Sequence, residues 1–450
     1  MKVKQIFAVI LAGVLALSIA ACGSGTAAPS QTASSETEVS TSAGEEVSTQ
    51  PEASSSDSTS EAASTQPAAP VTVQFWHGMS GAPEGELKAL TDKFNSANGK
   101  GITVELVNQG AYGDLNKKLM ASAAAKTLPD IAQVYNNWIN NFLSSVVPLD
   151  DFAAKDFDNY NDIVESYRNE GSELGKIYTL AFNKSSQVLF YNKDEFKKLG
   201  INPPATWEEL AADVKKIKDD TGKPAMGYDD LVAMFQQYIL QNGSDFISDG
   251  QVKFTGPDGV AAYKFISDLY LNGYARLAGE DKYMSGPFGN QNVYMYVGSS
   301  AGASFIKANG FEVGAAPLPK GKKGAVPQAG TNIAMFTQDT AKQAGAWEYM
   351  KFLTQADNTA EWAMKTGYLP VRTTAFQSQT YQDFMSKDEV AKAAYAQVGD
   401  QYFESAFKGS NEVRTLLGTE VETAILKKIP ADQAVADIGK KVQEVLDKNK

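Results

Sequence analysis

The sequence predicts an α/β fold divided into two lobes, and three observations carry that expectation. Between Val71 and Tyr135, strand-like alternation twice gives way to helical spacing, in the order β-α-β-α-β. That order builds a largely parallel sheet covered by helices. About 380 residues follow position 70, more than a single hydrophobic core usually serves. Those residues are rich in Phe, Tyr and Trp and punctuated by Gly, whereas residues 23–70 contain no aromatic residue at all.

The elements can be read in order. Val71 to Trp76 alternates apolar and polar residues as a strand does. Leu87, Leu90 and Phe94 then share one helical face, and Gly99 supplies the stop. Ile102 to Val107 is the second strand, Leu115, Leu119 and Ala123 mark the second helix, and Ile131 to Tyr135 is the third strand. Ligands of such sheets gather beyond the carboxyl ends of the strands. Here those ends are Trp76-His77, Gln109 to Tyr112, and Tyr135 to Trp138. A second unit begins after Lys184, with a strand over Gln187 to Tyr191 and a short helix over Asp194 to Leu199. Pro203-Pro204 breaks the chain before Thr206-Trp-Glu-Glu209, a capping-box pattern that opens a helix with Leu210, Val214 and Ile217 on its apolar face. Further helices fit Val260 to Leu271 and Ala341 to Leu353, and strands fit Val293 to Val297 and Asn332 to Thr337. No internal repeat is visible.

The N-terminus points to a compartment. Lys2 and Lys4 precede an uncharged apolar run from Ile6 to Ile19, about right for a signal peptide and short of the roughly 20 residues a membrane span needs. The run ends in Ala20-Ala21-Cys22, which resembles a bacterial lipobox, and Cys22 is the only cysteine of 450 residues. No disulfide is possible within one chain, so lipidation of Cys22 after removal of residues 1–21 is the expectation. Residues 23–70 are mostly Ser, Thr, Ala, Gln, Pro and Gly, with seven acidic residues and no Lys or Arg. Such a segment cannot bury enough apolar surface to offset its ordering entropy, so residues 22–70 read as a lipidated cysteine and a disordered acidic tether. The mature protein is expected on the outer face of the cell membrane, anchored rather than threaded.

Composition removes most chemistry. The net charge is −12 and no Lys/Arg cluster exists, which disfavours nucleic acid. With one histidine, His77, and the single cysteine assigned to lipid, neither a His-rich metal site nor a thiol nucleophile is available. A phosphate-cradling GxxxxGK[ST] motif is absent, and Gly298-Ser-Ser-Ala-Gly302, which has the bare GxSxG spacing, is not read as a nucleophile elbow. Paired carboxylates such as Asp229-Asp230 and Asp150-Asp151 leave a glycan hydrolase as the enzymatic alternative. No catalytic residue, metal or cofactor is assigned.

Several stretches, taken together and in order, resemble the family 1 extracellular solute-binding proteins of ABC importers. They are Phe75–Gly81 (FWHGMSG), Leu128–Tyr135 (LPDIAQVY), Ala181–Asp194 (AFNKSSQVLFYNKD), Pro204–Trp207 (PATW), Val313–Pro319 (VGAAPLP) and Ala360–Pro370 (AEWAMKTGYLP). The first and last favour the branch that binds glycerol 3-phosphate and carbohydrates. The resemblance implies a type II periplasmic-binding-protein-like fold, with two lobes joined by crossing strands near Phe182–Ser185, Pro319–Gly330 and Leu369–Thr374. Lobe 1 would take residues 71–183 and 325–372, and lobe 2 residues 184–324 and 373–450. By position in the branch's pattern, Tyr112, Ser185, Ser300, Gly330 and Tyr368 match ligand contacts. Trp76, His77, Asn136 and Asp229 join them as expected ligand-binding residues. The implied partners are a small sugar- or polyol-type solute and the transmembrane permease, with the protein itself a monomer.

Departures from the branch bear on the solute. Asn136 stands where the branch has glutamate, and Asp229 and Val232 replace two tryptophans. The phosphate-clamping arginine has no counterpart, since Lys408-Gly-Ser-Asn runs on to Glu412-Val-Arg414. A buried phosphate without a cationic partner is costly. A neutral sugar, glycerol 3-phosphate and a glycerophosphodiester all remain open, as does a sensing or adhesive role on the same fold.

Overall fold

The computed structural model describes residues 70–450. The signal segment, Cys22 and the tether up to position 69 lie outside the described residues. Among the described residues, no helix is long and apolar enough to cross a membrane.

The opening pattern folds as its periodicity dictates. Strands β1 (Val71–His77), β2 (Ile102–Asn108) and β3 (Ile131–Val134) pair in parallel in the order β2-β1-β3. The connecting helices are Ala82–Ala97 and Tyr112–Ala125. Leu87, Leu90 and Phe94 bury one face of the first helix. Beyond this unit the chain forms β4 (Leu180–Asn192), β5 (Met226–Tyr228), β6 (Ala275–Arg276), β7 (Met295–Ser299), β8 (Val313–Ala316), β9 (Val326–Met335) and β10 (Gln401–Tyr402). One path of neighbours runs β2-β1-β3-β9-β4-β7-β5-β6, with β8 on β4 and β10 on β9. The sheet is mixed, because β9 is antiparallel to both β3 and β4.

β4 and β9 connect the two halves. Leu180–Asn183 pairs with β9 beside β3, whereas Gln187–Tyr191 pairs with β7 and Leu189–Asn192 with β8. β9 likewise runs from β10 at Val326 to β3 at Met335. A third approach joins them where the Leu369 amide donates to the Lys184 carbonyl at 2.7 Å. Hydrophobic cores flank the crossings. One gathers Phe75, Phe94, Trp347 and Trp362, and another Trp207, Phe235, Tyr263, Leu417 and Ile438.

Three elements differ from the sequence reading. The strand expected from Gln187 is the second half of a 13-residue strand. Asn183-Lys-Ser-Ser-Gln187 carries no apolar alternation, yet all five residues are buried. The strand expected at Val293–Val297 begins two residues later, at Met295. The strand expected at Asn332–Thr337 starts at Val326 and ends at Met335. The capping box forms in modified shape. Thr206 Oγ1 accepts from the Glu209 amide at 3.2 Å, but Glu209 reaches back one residue further, to the Ala205 amide at 2.7 Å.

Candidate functional site

The run of buried polar residues on β4 is the base of the site. Asn183 Oδ1 accepts from Thr331 Oγ1 at 2.6 Å and from Gln133 Nε2 at 3.2 Å, while Asn183 Nδ2 donates to the Tyr112 hydroxyl at 3.3 Å. The Tyr112 and Tyr368 hydroxyls lie 3.5 Å apart. This network ties β3, β4 and β9 to the first turn of the helix Tyr112–Ala125. It also fixes a tyrosine at the edge of a cleft of about 780 Å³. Clefts of this size suit small-molecule ligands.

Three parts of the chain line the cleft. Tyr112, Tyr135, Asn136 and Trp138 come from beyond the ends of the first parallel strands. Their rings follow one another edge to face, with centroids 5.4 Å apart for Tyr112–Tyr135 and 5.0 Å for Tyr135–Trp138. Asp229, Asp230, Tyr283 and Ser299 face them from the other half, and Gln187, Gln328 and Gly330 of the crossing strands form the floor. Both amide atoms of Gln328 are buried without a hydrogen-bond partner among the described residues. Buried polar atoms are almost always paired, so a ligand or water that reached this amide would find an unused donor and acceptor.

The cleft is acidic. Glu170, Asp229, Asp230, Glu404 and Glu422 line it, against Lys282 and Arg414. Arg414 is already engaged by Glu404 and Asp230. Burial works to raise the Asp230 carboxyl, but Arg414 and the Ala233 and Val232 amides outweigh it and hold it below its usual range. Asp229 goes the other way. Burial pushes it up to about 6, and the neighbouring Asp230 charge adds to the rise against the amide of Met284. Its Oδ1 accepts from that amide at 2.6 Å, which pins the loop carrying Tyr283.

A carboxyl whose folded pKa is raised stabilises the fold most at low pH. That advantage is lost as pH rises through about 6. Asp229→Asn keeps the oxygen that accepts from Met284 and removes the buried charge. It is expected to stabilise the protein by about 1–2 kcal/mol at pH 8 and much less at pH 4.5, allowing for water in the cleft. Melting curves at the two pH values decide. An equal gap at both would show that the charge is not the cause.

The expected ligand-binding residues separate into two groups. Tyr112, Asn136, Asp229 and Gly330 line the cleft, and Tyr368 touches Tyr112 while its ring stacks on Trp362. The others support the walls from behind. His77 is buried, and its Nδ1 accepts from the Met79 amide at 3.4 Å. Burial lowers the His77 pKa, with the Glu84 charge opposing. Ser300 is buried and donates to the Gly367 carbonyl at 2.9 Å. Buried Ser185 accepts from Ser299 Oγ at 2.9 Å, and half-buried Trp76 packs on the apolar cluster around Leu115 and Trp138. Asn136 Nδ2 donates to Glu173 at 2.9 Å. Sequence reasoning missed Gln187, Gln328, Tyr283 and Glu404. A polar residue inside a strand is a usable signal for the two glutamines, but a loop tyrosine carries none.

A model of the bacterial extracellular solute-binding proteins matches residues 89–391. The chain belongs to that family. The resemblance read from the sequence is therefore borne out, and relatives agree with it. The sn-glycerol-3-phosphate-binding periplasmic protein UgpB of Pectobacterium atrosepticum is 27% identical over 399 residues, covering 82% of this chain and 89% of the relative. UgpB of Salmonella typhimurium is 28% identical over 82% of this chain and 90% of its own length. Among solved structures, UgpB from Mycobacterium tuberculosis in complex with glycerophosphocholine superposes with a TM-score of 0.75 at 22% identity, over 84% of this chain and 99% of that one. The GacH receptor of Streptomyces glaucescens, solved unliganded and with acarbose, also reaches 0.75, at 24% identity over 85% of this chain and all of that one. As a member of this family the chain has the two-lobed α/β architecture of those structures. The position of the cleft beside the crossings follows from it.

Proposed function

We propose that this protein is the solute receptor of an ABC importer and that its cleft takes a neutral, polyhydroxylated solute. One observation carries the choice of solute. Five carboxylates line the cleft, and its arginine is already neutralised by two of them. Sugar hydroxyls donate well to carboxylates and to the vacant Gln328 oxygen, and the rings of Tyr112, Tyr135 and Tyr283 offer flat surfaces to C–H faces. Glu170 is paired with buried Lys184, and Arg414 with Glu404 and Asp230, so among the described residues the exposed Lys282 is the one unpaired cation that a phosphate would meet there, against the charges of Asp229 and Glu422. The relatives named for glycerol 3-phosphate share the frame, while this chain's departures at Asn136, Asp229 and Val232 change its walls.

Lobe 1 comprises residues 71–183 and 325–372, and lobe 2 residues 184–324 and 373–450 in this reading. Solute binds one lobe, closure about the crossings desolvates its hydroxyls between both walls, and the closed form delivers it to the permease. Lipid on Cys22 keeps the receptor near that permease, with the acidic tether as spacer. Cys22→Ser is expected to release the protein from the membrane fraction without altering its melting temperature. A variant still found with membranes would remove the anchor.

The receptor reading is tested by a thermal-shift panel of monosaccharides, oligosaccharides, glycerol 3-phosphate and glycerophosphocholine. Solute at 100 times its Kd stabilises by about 2.7 kcal/mol, a readily visible shift. Stabilisation by neutral glycans is expected. A response to the phosphates alone would overturn the neutral-solute assignment, and net turnover of any glycan would replace the receptor with a hydrolase.

A further inference from the structure

The loop that carries Tyr283 into the cleft is held at both ends. On one side, Arg276 at the end of β6 pairs with Asp281, the last residue of the short turn Gly279–Asp281. On the other, the Met284 amide donates to Asp229 Oδ1 at 2.6 Å. The Met284 side chain is fully buried over β5, where a Cβ on Gly227 would fall 2.3 Å from its terminal methyl. Asp229 is fixed in turn. Its amide donates to the Val297 carbonyl at 3.0 Å, and a Cβ on Gly298 would come within 2.5 Å of its Oδ2. Only Lys282 and Tyr283 lie between these anchors.

That short span is strained. Lys282 has φ +63° and ψ −40°, and the Tyr283 amide donates across it to the Asp281 carbonyl at 2.7 Å. This is a γ-turn of the positive-φ kind, rare and strained, with a lysine where glycine would fit most easily. Strain of this sort persists only where the surroundings over-determine it, and it gathers at ligand clamps. Packing of Tyr283 does not account for it. The side chain is 65% exposed, more than any other large hydrophobic side chain among the described residues. Its ring lines the cleft and looks toward the opposite wall. There burial raises the Tyr135 and Tyr368 hydroxyls, and the nearness of Tyr283 adds to the rise at both.

We propose that the turn at Lys282 is a positioning device: its two anchors and fixed backbone hold the Tyr283 ring out into the cleft, so that the solute meets a ring already oriented. Lys282 and Asp229 are positioning residues, and Tyr283 is the group they serve. This rests on the receptor reading and deepens it, whichever solute the cleft takes. The advantage is entropic. A tyrosine on a free loop would lose backbone and side-chain freedom on binding, and that loss would be subtracted from affinity. A loop ordered during folding has lost it beforehand, with burial of Met284 and its bond to Asp229 offsetting the cost.

Titration calorimetry with monosaccharides, malto-oligosaccharides, glycerol 3-phosphate and glycerophosphocholine tests the device, beside melting curves of the unliganded proteins. For whichever of these binds, Tyr283→Ala is expected to weaken affinity about tenfold while barely moving the melting temperature, and Tyr283→Phe to keep most of it. Lys282→Gly frees the turn and leaves the ring in place. Affinity is expected to fall about three- to fivefold, with the melting temperature equal to or above that of the wild type because strain is relieved. Lys282→Gln removes the charge and keeps the backbone constraint, so it is expected to lose less than Lys282→Gly. In a Tyr283→Ala background, Lys282→Gly is expected to add no further loss. Three results would each overturn the device and leave the receptor reading intact: wild-type affinity in Tyr283→Ala, equal losses from Lys282→Gln and Lys282→Gly, or an undiminished Lys282→Gly loss once the ring is gone. A wild-type protein that binds none of these solutes would overturn the receptor reading and the device with it.

Discussion

Gly330→Ala is expected to destabilise the protein by about 4 kcal/mol, read as a large drop in the urea midpoint with the slope unchanged. Two costs combine at this position. Gly330 has φ +92°, a region that side chains other than glycine rarely adopt. A Cβ there would also stand 1.8 Å from the carbonyl oxygen of Asn183, an approach no side-chain motion can relieve because the obstacle is backbone. The position matters because Gly330 pairs with Lys184 where β9 crosses β4, and the register shifts at the next step, between Thr331 and Asn332. The bulge lets two strands approach closely at the crossing while their ends join different neighbours. A loss below 1 kcal/mol would mean that the crossing relaxes freely and that the close approach is not needed.

The second large effect concerns the ion pair beneath the cleft. Lys184 is fully buried, and its ammonium donates to Glu170 Oε2 at 2.6 Å and to Asn332 Oδ1 at 3.4 Å. Glu170 Oε2 also accepts from Asn332 Nδ2 at 3.2 Å, and the Lys184 ammonium lies over the Tyr167 ring, 5.7 Å from its centroid. Removing one partner of a buried pair leaves an uncompensated charge, at a cost of about 3–5 kcal/mol. Glu170→Leu is expected to lose that much, since Lys184 has no route to water. Lys184→Met is expected to lose less, because Glu170 lines the cleft and can be hydrated there. The double variant is expected to recover most of the loss, as paired apolar replacements of buried ions often do. Chemical denaturation of the four proteins gives the coupling directly. Single losses that simply add in the double variant would show that the two charges do not stabilise one another.

Both effects sit on residues that were hard to read. The opening β-α-β-α-β unit was legible because its periodicity is local and its faces are one-sided. Val73, Phe75, Leu87 and Phe94 point to one core, and each strand or helix announces itself within a few residues. The helix after Thr206 was legible for the same reason, since its cap and apolar stripe lie within a dozen positions. The crossing segment Asn183–Gln187 was opaque. Its burial comes from partners 50 or 148 residues away, Gln133 and Thr331 among them, and a polar run gives no sign of that. The site divides along the same line. Tyr112 and Asn136 follow strand ends and were placed by topology, whereas Gln328 and Tyr283 reach the cleft only through long-range folding. Ser300 and His77 show the converse. A family pattern pointed to Ser300 and a strand end to His77, but both side chains turn inward to bonds within the protein.

By itself, the amino-acid sequence determined the α/β class, the family, the acidic and nearly histidine-free composition, and the single cysteine at position 22. These follow from residue types and short spacings, which do not depend on what the chain later touches. Only the tertiary structure decided which polar residues are vacant and which are satisfied. It showed Arg414 neutralised between Glu404 and Asp230, Gln328 unpaired on the cleft floor, and Asp229 pushed up to about 6 by burial. A side chain's charge state and free hydrogen-bonding capacity are set by its neighbours and by how much water it keeps. In this fold some of those neighbours come from distant segments, as Asp230 does for Arg414 from 184 residues away.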